Sequence, residues 1–516
     1  MSETTEKSGG GLNPGSLGPV QVLFLIVTGA APLAAMVFNV PVTVNGSGFA
    51  APAAFLIATV VLTIFSVGYI EMSRRVSSIG GFYTFITRGL GGMMGLASGL
   101  LIAFCYIIFC AGVLGAFGYF ASTSLDAWFG FSLPAAVYMA IGLAAFAAFA
   151  LFDIELTAKV LGTALVCEVL TLGILAVCVF FAGGGPDGVV VGGLNPVNLF
   201  NNDSAIKVFG GAAVGIALFG AFWSWVGFEM APNYAEESRN PKKIAKIATY
   251  GSVIGLGIFY VILSLVFVSG YGKIGAAQAV ADQFAGKSDS AWYPLAQHFG
   301  GSWLKFLFEL FMITSSFACS MAFFNTGARY LFSLSREGLL PKAFAQTHAK
   351  HKTPVNAALA VTAIVFVWNA AFTISFPDTL SALTKIATWT PLMGVMGILA
   401  VQAICSFAII RYFAREAKDG FHWWKTGLAP LVGGLAQFGA MYLLISNRAG
   451  LGAAEGQVFI KYFPEVIVGM FLLGCAYALY LKSSKPATFA AIGAFETDAA
   501  PIEEPLHGTR GLPSTA

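Results

Sequence analysis

The sequence predicts an all-α polytopic membrane protein: two five-helix halves of opposite topology, followed by two further helices, twelve spans in all. Three observations predict it. Of 516 residues, 57% are hydrophobic and only 10% are charged, whereas a soluble chain carries about 25% charge. Apolar runs long enough to cross a bilayer recur along almost the whole length. The first and sixth of these runs are interrupted near mid-span, and an odd number of spans per half makes the repeat an inverted one.

Taken in order, residues 1–18 are polar and glycine-rich, without a basic n-region or an Ala-x-Ala site. They read as a cytoplasmic tail rather than a cleavable signal. The first half, 19–182, holds spans expected at Pro19–Val42, Ala51–Met72, Met93–Ser122, Pro134–Phe152 and Ala158–Ala182. The second half, 209–412, holds Phe209–Tyr234, Ile244–Gly270, Trp303–Leu334, Val355–Phe376 and Leu383–Tyr412. Two more follow within 425–481, at Lys425–Ser446 and Pro464–Leu481. The Pro/Ala/Glu-rich tail, 482–516, reads as disordered. No loop is long enough for a soluble domain, and the longest polar one, Tyr271–Gly301, has room for a short surface helix at most. Lys and Arg set the orientation. With both termini inside, one side collects Arg74, Arg75, Arg88, Lys242, Lys243, Arg336, Lys342 and Arg411 among others, more than twice the number on the opposite side.

The two interruptions differ in kind. In the first span, Thr28-Gly29-Ala30-Ala31-Pro32 puts a glycine and a proline near mid-depth, where proline removes a donor and disfavours helix just before it. In the sixth, Phe222-Trp223-Ser224-Trp225-Val226-Gly227-Phe228-Glu229 brings tryptophans, a serine, a glycine and a carboxylate together. Non-helical backbone survives at membrane depth only where protein buries it or water lines it. The free N–H and C=O groups of half-helix ends suit the carboxylate and ammonium of a zwitterion. A plain proline kink and an aromatic packing helix are the structural alternatives.

Other chemistries find no support. The seven cysteines lie inside apolar runs without metal-ligand spacing, the five histidines lie in loops or the tail, and no nucleophile cluster is present. No cofactor or metal is expected. The net charge of +3 is spread over loops and does not suggest nucleic acid.

Three stretches carry a family resemblance: Ser73-Arg74-Arg75-Val76-Ser77-Ser78-Ile79-Gly80-Gly81-Phe82-Tyr83 through Gly91; Trp223 through Glu229 into Glu236-Glu237-Ser238-Arg239-Asn240-Pro241-Lys242; and Asn325-Thr326-Gly327-Ala328-Arg329 through Pro341. They resemble the amino acid–polyamine–organocation transporter family, whose leucine-transporter-type fold has five plus five inverted repeats. The likeness spans about Leu17 to Leu481. Many members carry a Gly-Ser/Ala-Gly triplet at the first break, where this chain has Gly29-Ala30-Ala31-Pro32.

The resemblance implies that backbone N–H groups of Thr28, Gly29, Ala30 and Ala31 meet a substrate carboxylate. Carbonyls near Ile26 and Phe222 to Trp225, Ser224 among them, would hold its amino group. Gly29 and Gly227 would let backbone approach the ligand. Phe222, Trp223 and Trp225 would wall the pocket, with Tyr106 and Phe323 facing it or simply packing. Glu229 would bond across to the first helix and help close the site, or else snorkel to the interface. Glu168 lies nine residues past Lys159, about 13 Å deep at 1.5 Å per residue. In some proton-coupled members a lysine stands at the corresponding position. A carboxyl group there can carry a proton, or ligate a cation with Thr314, Ser315 or Ser316; the alternative is a carboxyl held permanently by a neighbour. Lys305 and Glu309 read as an interfacial ion pair, and Gly91, Gly95 and Gly99 as a close-packing face.

The reading is a proton-coupled permease for a neutral amino acid in the cell membrane. An amine or polyamine permease, an exchanger, or sodium in place of the proton are the nearer alternatives. A membrane sensor or channel is the more distant one.

Overall fold

The computed structural model describes residues 15, 17–76, 80–151, 154–234, 236–348, 350–376, 379–451 and 456–493. Most of both expected tails, Ser77-Ser78-Ile79 and Ala235 therefore lie outside the described residues. Nineteen α-helices follow one another, and no named strand occurs among the described residues. They are α1 Pro19–Ala30, α2 Pro32–Ser47, α3 Ala51–Arg75, α4 Phe82–Leu90, α5 Gly92–Phe129, α6 Ala135–Phe149 and α7 Ile154–Phe181. Next come α8 Asp203–Phe209, α9 Val214–Trp223, α10 Pro241–Tyr271, α11 Lys273–Phe284, α12 Trp292–Gly300 and α13 Ser302–Arg336. The last are α14 Val355–Ser375, α15 Thr379–Arg415, α16 Ala429–Asn447, α17 Gly456–Lys461, α18 Phe463–Ser484 and α19 Pro486–Ala490.

Ten stretches among the described residues are long and apolar enough to cross a membrane. One of them, Pro19–Arg75, contains both spans expected before residue 76, and Ala135–Phe149 is apolar but shorter. The most enclosed are Val214–Tyr234 and Gly92–Phe129, while Phe463–Ser484 turns most of its surface outward. The broken element thus sits at the centre, and the added helices sit at the rim.

Both interruptions are real breaks. Ala31 adopts a left-handed conformation (φ 41°) between α1 and α2, each of which is otherwise regular. The sixth span leaves α-helix after Trp223, turns through Ser224–Gly227, and resumes as a 3₁₀ helix, Phe228–Tyr234. Gly227 has φ 122°, and a Cβ added there would lie 3.1 Å from the Gly29 carbonyl carbon and 3.2 Å from the Ala30 nitrogen. The two breaks therefore touch through backbone.

Beyond the breaks, α2 and α9 run together closely. A Cβ on Gly46 would stand 2.4 Å from the Ala217 nitrogen, and one on Gly220 2.7 Å from the Asn39 carbonyl oxygen. Of the expected glycine face, Gly95 abuts Thr87 and Gly99 abuts Tyr83, both on α4, whereas Gly91 stands before α5 with open space around it and takes no part in the packing.

Two expectations change. The stretch after Tyr271 forms two helices rather than one surface helix at most. Its apolar residues explain this: Ala276, Ala277, Val280, Trp292 and Leu295 are buried against the bundle. The Trp292 indole donates to the Met36 carbonyl at 2.9 Å. The tail also begins later, because α18 continues to Ser484 and α19 follows. Gly493 then donates its N–H to Glu337 at 2.7 Å, and Tyr83 donates its hydroxyl to the same carboxylate.

The end that carries these contacts is held by charge. Arg329 forms a buried two-pronged pair with Glu237, at 2.8 and 3.0 Å from Nη2, and its guanidinium lies over the Tyr234 ring. Arg336 pairs with Glu236 at 2.8 Å. Leu17 bridges the same segment, its N–H donating to the Glu237 carbonyl while the Leu17 carbonyl accepts the Arg239 N–H. Lys305 and Glu309 pair at 3.5 Å, as expected.

Two outcomes follow from these contacts. Gly227→Val forces a branched side chain into a left-handed position against the other break, where non-glycine residues cost about 1–2 kcal/mol before any clash. Its melting temperature in detergent drops by several degrees and uptake is lost; wild-type stability and uptake in the variant contradict the backbone contact. Glu237→Gln leaves the Arg329 charge buried without its counter-charge, and breaking such a pair costs about 3–5 kcal/mol. Thermal unfolding of Glu237→Gln, Arg329→Met and the double variant should give strongly non-additive losses, and simple additivity would contradict the pairing.

Candidate functional site

The breaks open onto a cavity between α2, α9, α5, α13 and α15. Gly29, Ala30 and Ala31 form its floor and Ala34, Ala35, Phe38 and Asn39 one wall. Val113, Ala116, Trp223, Ser316, Cys319, Phe323 and Ala387 complete it. Its surface is mostly methyl groups and aromatic rings, and among the described residues no carboxylate or cation lines it.

The expected aromatic wall divides. Trp223 and Phe323 line the cavity, and Trp223 stacks on Phe219 and lies beside Phe38. Phe222 and Trp225 do not. They face a second apolar cavity behind the sixth span, with Leu62, Val395 and Gln402. Trp225 donates its indole N–H to the Val253 carbonyl at 3.2 Å. One residue, Ser224, separates the two tryptophans, and the turn there sends their indoles to opposite sides. Tyr106 also misses the cavity wall, and stacks on Tyr330.

The backbone groups at the first break are engaged. The Ala31 N–H bonds back to the Val27 and Thr28 carbonyls. The Gly29 carbonyl accepts from the Cys319 thiol at 3.1 Å and the Ala30 carbonyl from the Tyr260 hydroxyl at 3.2 Å. Thr28–Ala30 remain helical, so the half-helix whose first amides are open is α2, and those amides belong to Leu33 and Ala34. The Thr28 hydroxyl is buried without a partner among the described residues.

Glu168 stands at that half-helix end. Ser315 donates its hydroxyl to the carboxylate at 2.7 Å and accepts the Ala34 N–H at 3.2 Å. The Leu33 amide faces the same carboxylate. A negative group at the N-terminus of a helix is favoured by the dipole and by the unsatisfied amides. Glu168 therefore ties α7, α13 and α2 together, just outside the cavity wall. Ser316 turns the other way, lining the cavity and donating to the Met312 carbonyl at 2.6 Å. Thr314 donates to its own helix at 3.3 Å.

Glu229 behaves differently from expectation. Its carboxylate accepts from Tyr106 at 2.7 Å and from the Gly227 amide at 3.2 Å, rather than bonding to the first helix. Its own carbonyl accepts from Tyr69 at 2.7 Å. The tight turn at Gly227 folds the side chain back over its own backbone, which points it at α5. Glu229 thus stabilises the break from within the sixth span.

Two groups went unassigned in the sequence. Arg329 and Glu237 stand inside the quoted stretches, 92 positions apart, and only the fold makes them a pair. Asn39 lines the cavity, a polar residue in an otherwise apolar run. That isolation was the available signal.

Comparison with known proteins agrees with this architecture. The amino acid permease family pattern matches residues 17–472. A branched-chain amino acid permease, BcaP, of Bacillus subtilis (strain 168) is 25% identical over 445 residues, 83% of this chain and 85% of the relative. A methylthioribose transporter of the same organism is 26% identical over 384 residues, 72% and 75% of the two chains. A vacuolar cationic amino acid transporter 8 of Arabidopsis thaliana is 24% identical over 251 residues, 48% of this chain; the match spans only 37% of that relative. With a match across nearly its whole length, two touching broken helices and a cavity between them, the chain belongs to the amino acid permease family.

Proposed function

We propose that the protein is a secondary active transporter that moves a neutral amino acid across the cell membrane by alternating access, coupled to protons through Glu168. The observation that carries the coupling is the contact of the Glu168 carboxylate with Ser315 and the first amides of α2. With a charged carboxylate, the hydroxyl and the amides have a full negative acceptor, and α2 is held to α7 and α13. With a neutral carboxyl, that hold weakens. Moving α2 relative to α13 is what changes access to a cavity between them. Glu168 thus links a proton to the position of a cavity wall without touching the ligand.

The lining supports a neutral ligand. An amine or polyamine brings a net positive charge, and the cavity offers it no carboxylate; an unpaired buried charge is strongly unfavourable. A zwitterion carries its own compensation and asks the cavity for no counter-charge. The branched-chain permease among the relatives points the same way.

The remaining parts serve the cycle. Arg329–Glu237, Arg336–Glu236 and the Leu17 bridge close the Lys/Arg-rich end, which we place in the cytoplasm with both termini. The other end is closed where α2 meets α9 and where Trp292 meets Met36. Twelve crossings result when Pro19–Arg75 is counted as two and Ala135–Phe149 as one.

Purified protein in proteoliposomes, tested without sodium, should accumulate a labelled neutral amino acid only under an inward proton gradient. Glu168→Gln keeps the shape and loses the gradient-driven accumulation while retaining exchange. Wild-type uptake indifferent to the gradient would falsify the coupling. For orientation, a cysteine replacing the exposed Lys287 should react with a membrane-impermeant thiol reagent added to whole cells, and one replacing Lys342 should not. The reverse pattern inverts the topology.

A further inference from the structure

We infer that Asn39 determines which amino acid is carried, by accepting a hydrogen bond from an N–H or O–H at the far end of the substrate side chain. The inference rests on the transport reading above and names the substrate class for the same cavity.

Asn39 is 2% exposed and lines the cavity. Its Nδ2 donates to the Ser224 hydroxyl oxygen at 2.9 Å. Ser224 in turn donates its one hydroxyl hydrogen to the Gly220 carbonyl at 3.0 Å. With that hydrogen committed, Ser224 only accepts from Asn39, and this fixes which amide atom is which. The Oδ1 atom is left over. It is buried and has no partner among the described residues. Buried polar atoms are satisfied in the great majority of cases, so such an orphan marks a missing donor.

The residue has little freedom to find one elsewhere. The Thr43 hydroxyl donates to the Asn39 carbonyl at 2.6 Å, and Gly220 brings α9 against the same carbonyl. The neighbouring wall, Phe38, Trp223, Val113 and Ala116, offers no donor at that end except the Trp223 indole. That group is not bonded to Oδ1. Because Asn39 lines the cavity, the ligand is the donor we assign to it.

Geometry says which part of the ligand. Asn39 is eight residues beyond Ala31, about 12 Å along the helix. Helical side chains lean toward the N-terminus, which brings the amide back toward the break by a few ångströms. A ligand whose charged head lies beside the Gly29–Ala31 floor reaches Asn39 with the end of a side chain of asparagine or glutamine length. The absence of any cavity carboxylate disfavours lysine or arginine. An uncharged side chain ending in an amide or hydroxyl satisfies both conditions. A donorless isostere leaves Oδ1 unpaired, which in binding amounts to about five- to a hundred-fold.

The test uses two near-isosteric pairs, asparagine with leucine and glutamine with methionine. Binding to full-length protein in detergent is followed by ligand-induced shift of the melting temperature at graded concentration. Wild type should bind at least one amide about five- to a hundred-fold tighter than its partner. Asn39→Leu should abolish or invert that ratio. Ser224→Ala, which removes the strut but leaves Oδ1, should weaken both members of a pair and preserve the ratio. Equal binding of amide and isostere by wild type overturns the inference while leaving amino acid transport intact. So does an Asn39→Leu variant that lowers both members by one common factor. No binding of any of the four overturns both readings.

Discussion

Two stretches of backbone meet in the middle of this protein with almost nothing between them. Gly227 lies against the carbonyl of Gly29 and the nitrogen of Ala30, close enough that even a methyl group would crowd them. Each break leaves peptide groups that no helix satisfies, and each is covered by the other break and by side chains around it. Tyr260 and Cys319 take carbonyls of the first, Ser315 and Glu168 take amides, and Glu229 folds back on the second. Remove the contact and those partners lose their register.

The polar groups divide by place. Glu168 and Glu229 are both buried, and both stand outside the cavity, bonded to helices that frame it. The cavity itself keeps small residues and rings, with Asn39, Ser316 and the Trp223 indole as its hydrogen-bonding side chains and the Cys319 thiol spent on the first break. Charge thus acts on the scaffold, and the ligand meets shape and a few oriented dipoles. An apolar chamber favours a ligand that brings no net charge. Acids placed behind the wall can change its position without binding what it holds.

Closure at the Lys/Arg-rich end is distributed. Arg329 and Glu237 are nearly inaccessible, and their two-pronged geometry leaves few ways to rearrange by small steps. Around them, Arg336–Glu236, the Leu17 bridge and the contact of Gly493 with Glu337 come from four separate parts of the chain. On the transport cycle we propose, such a set would open together, as a two-state gate does.

The sequence by itself determined the class, a chain of many apolar helices, the two breaks and the acids at depth. Those features follow from local chemistry: apolar length, a proline after small residues, and a carboxylate where water is absent. It also located Ser315 beside Glu168 as one of three candidates. Only the tertiary structure decided which way each side chain turned. Trp223 and Trp225 are two positions apart, yet one lines the cavity and the other faces away, because the turn at Ser224 rotates the chain between them. Glu229 went to Tyr106 instead of the first helix for the same kind of reason, a φ value at Gly227 that no pattern of residue types specifies. Arg329 and Glu237, 92 residues apart, and Asn39 with Ser224, 185 apart, acquire meaning only when packing brings them together. Periodicity and composition report what a segment needs from its surroundings; which partner meets that need is a property of the assembled bundle.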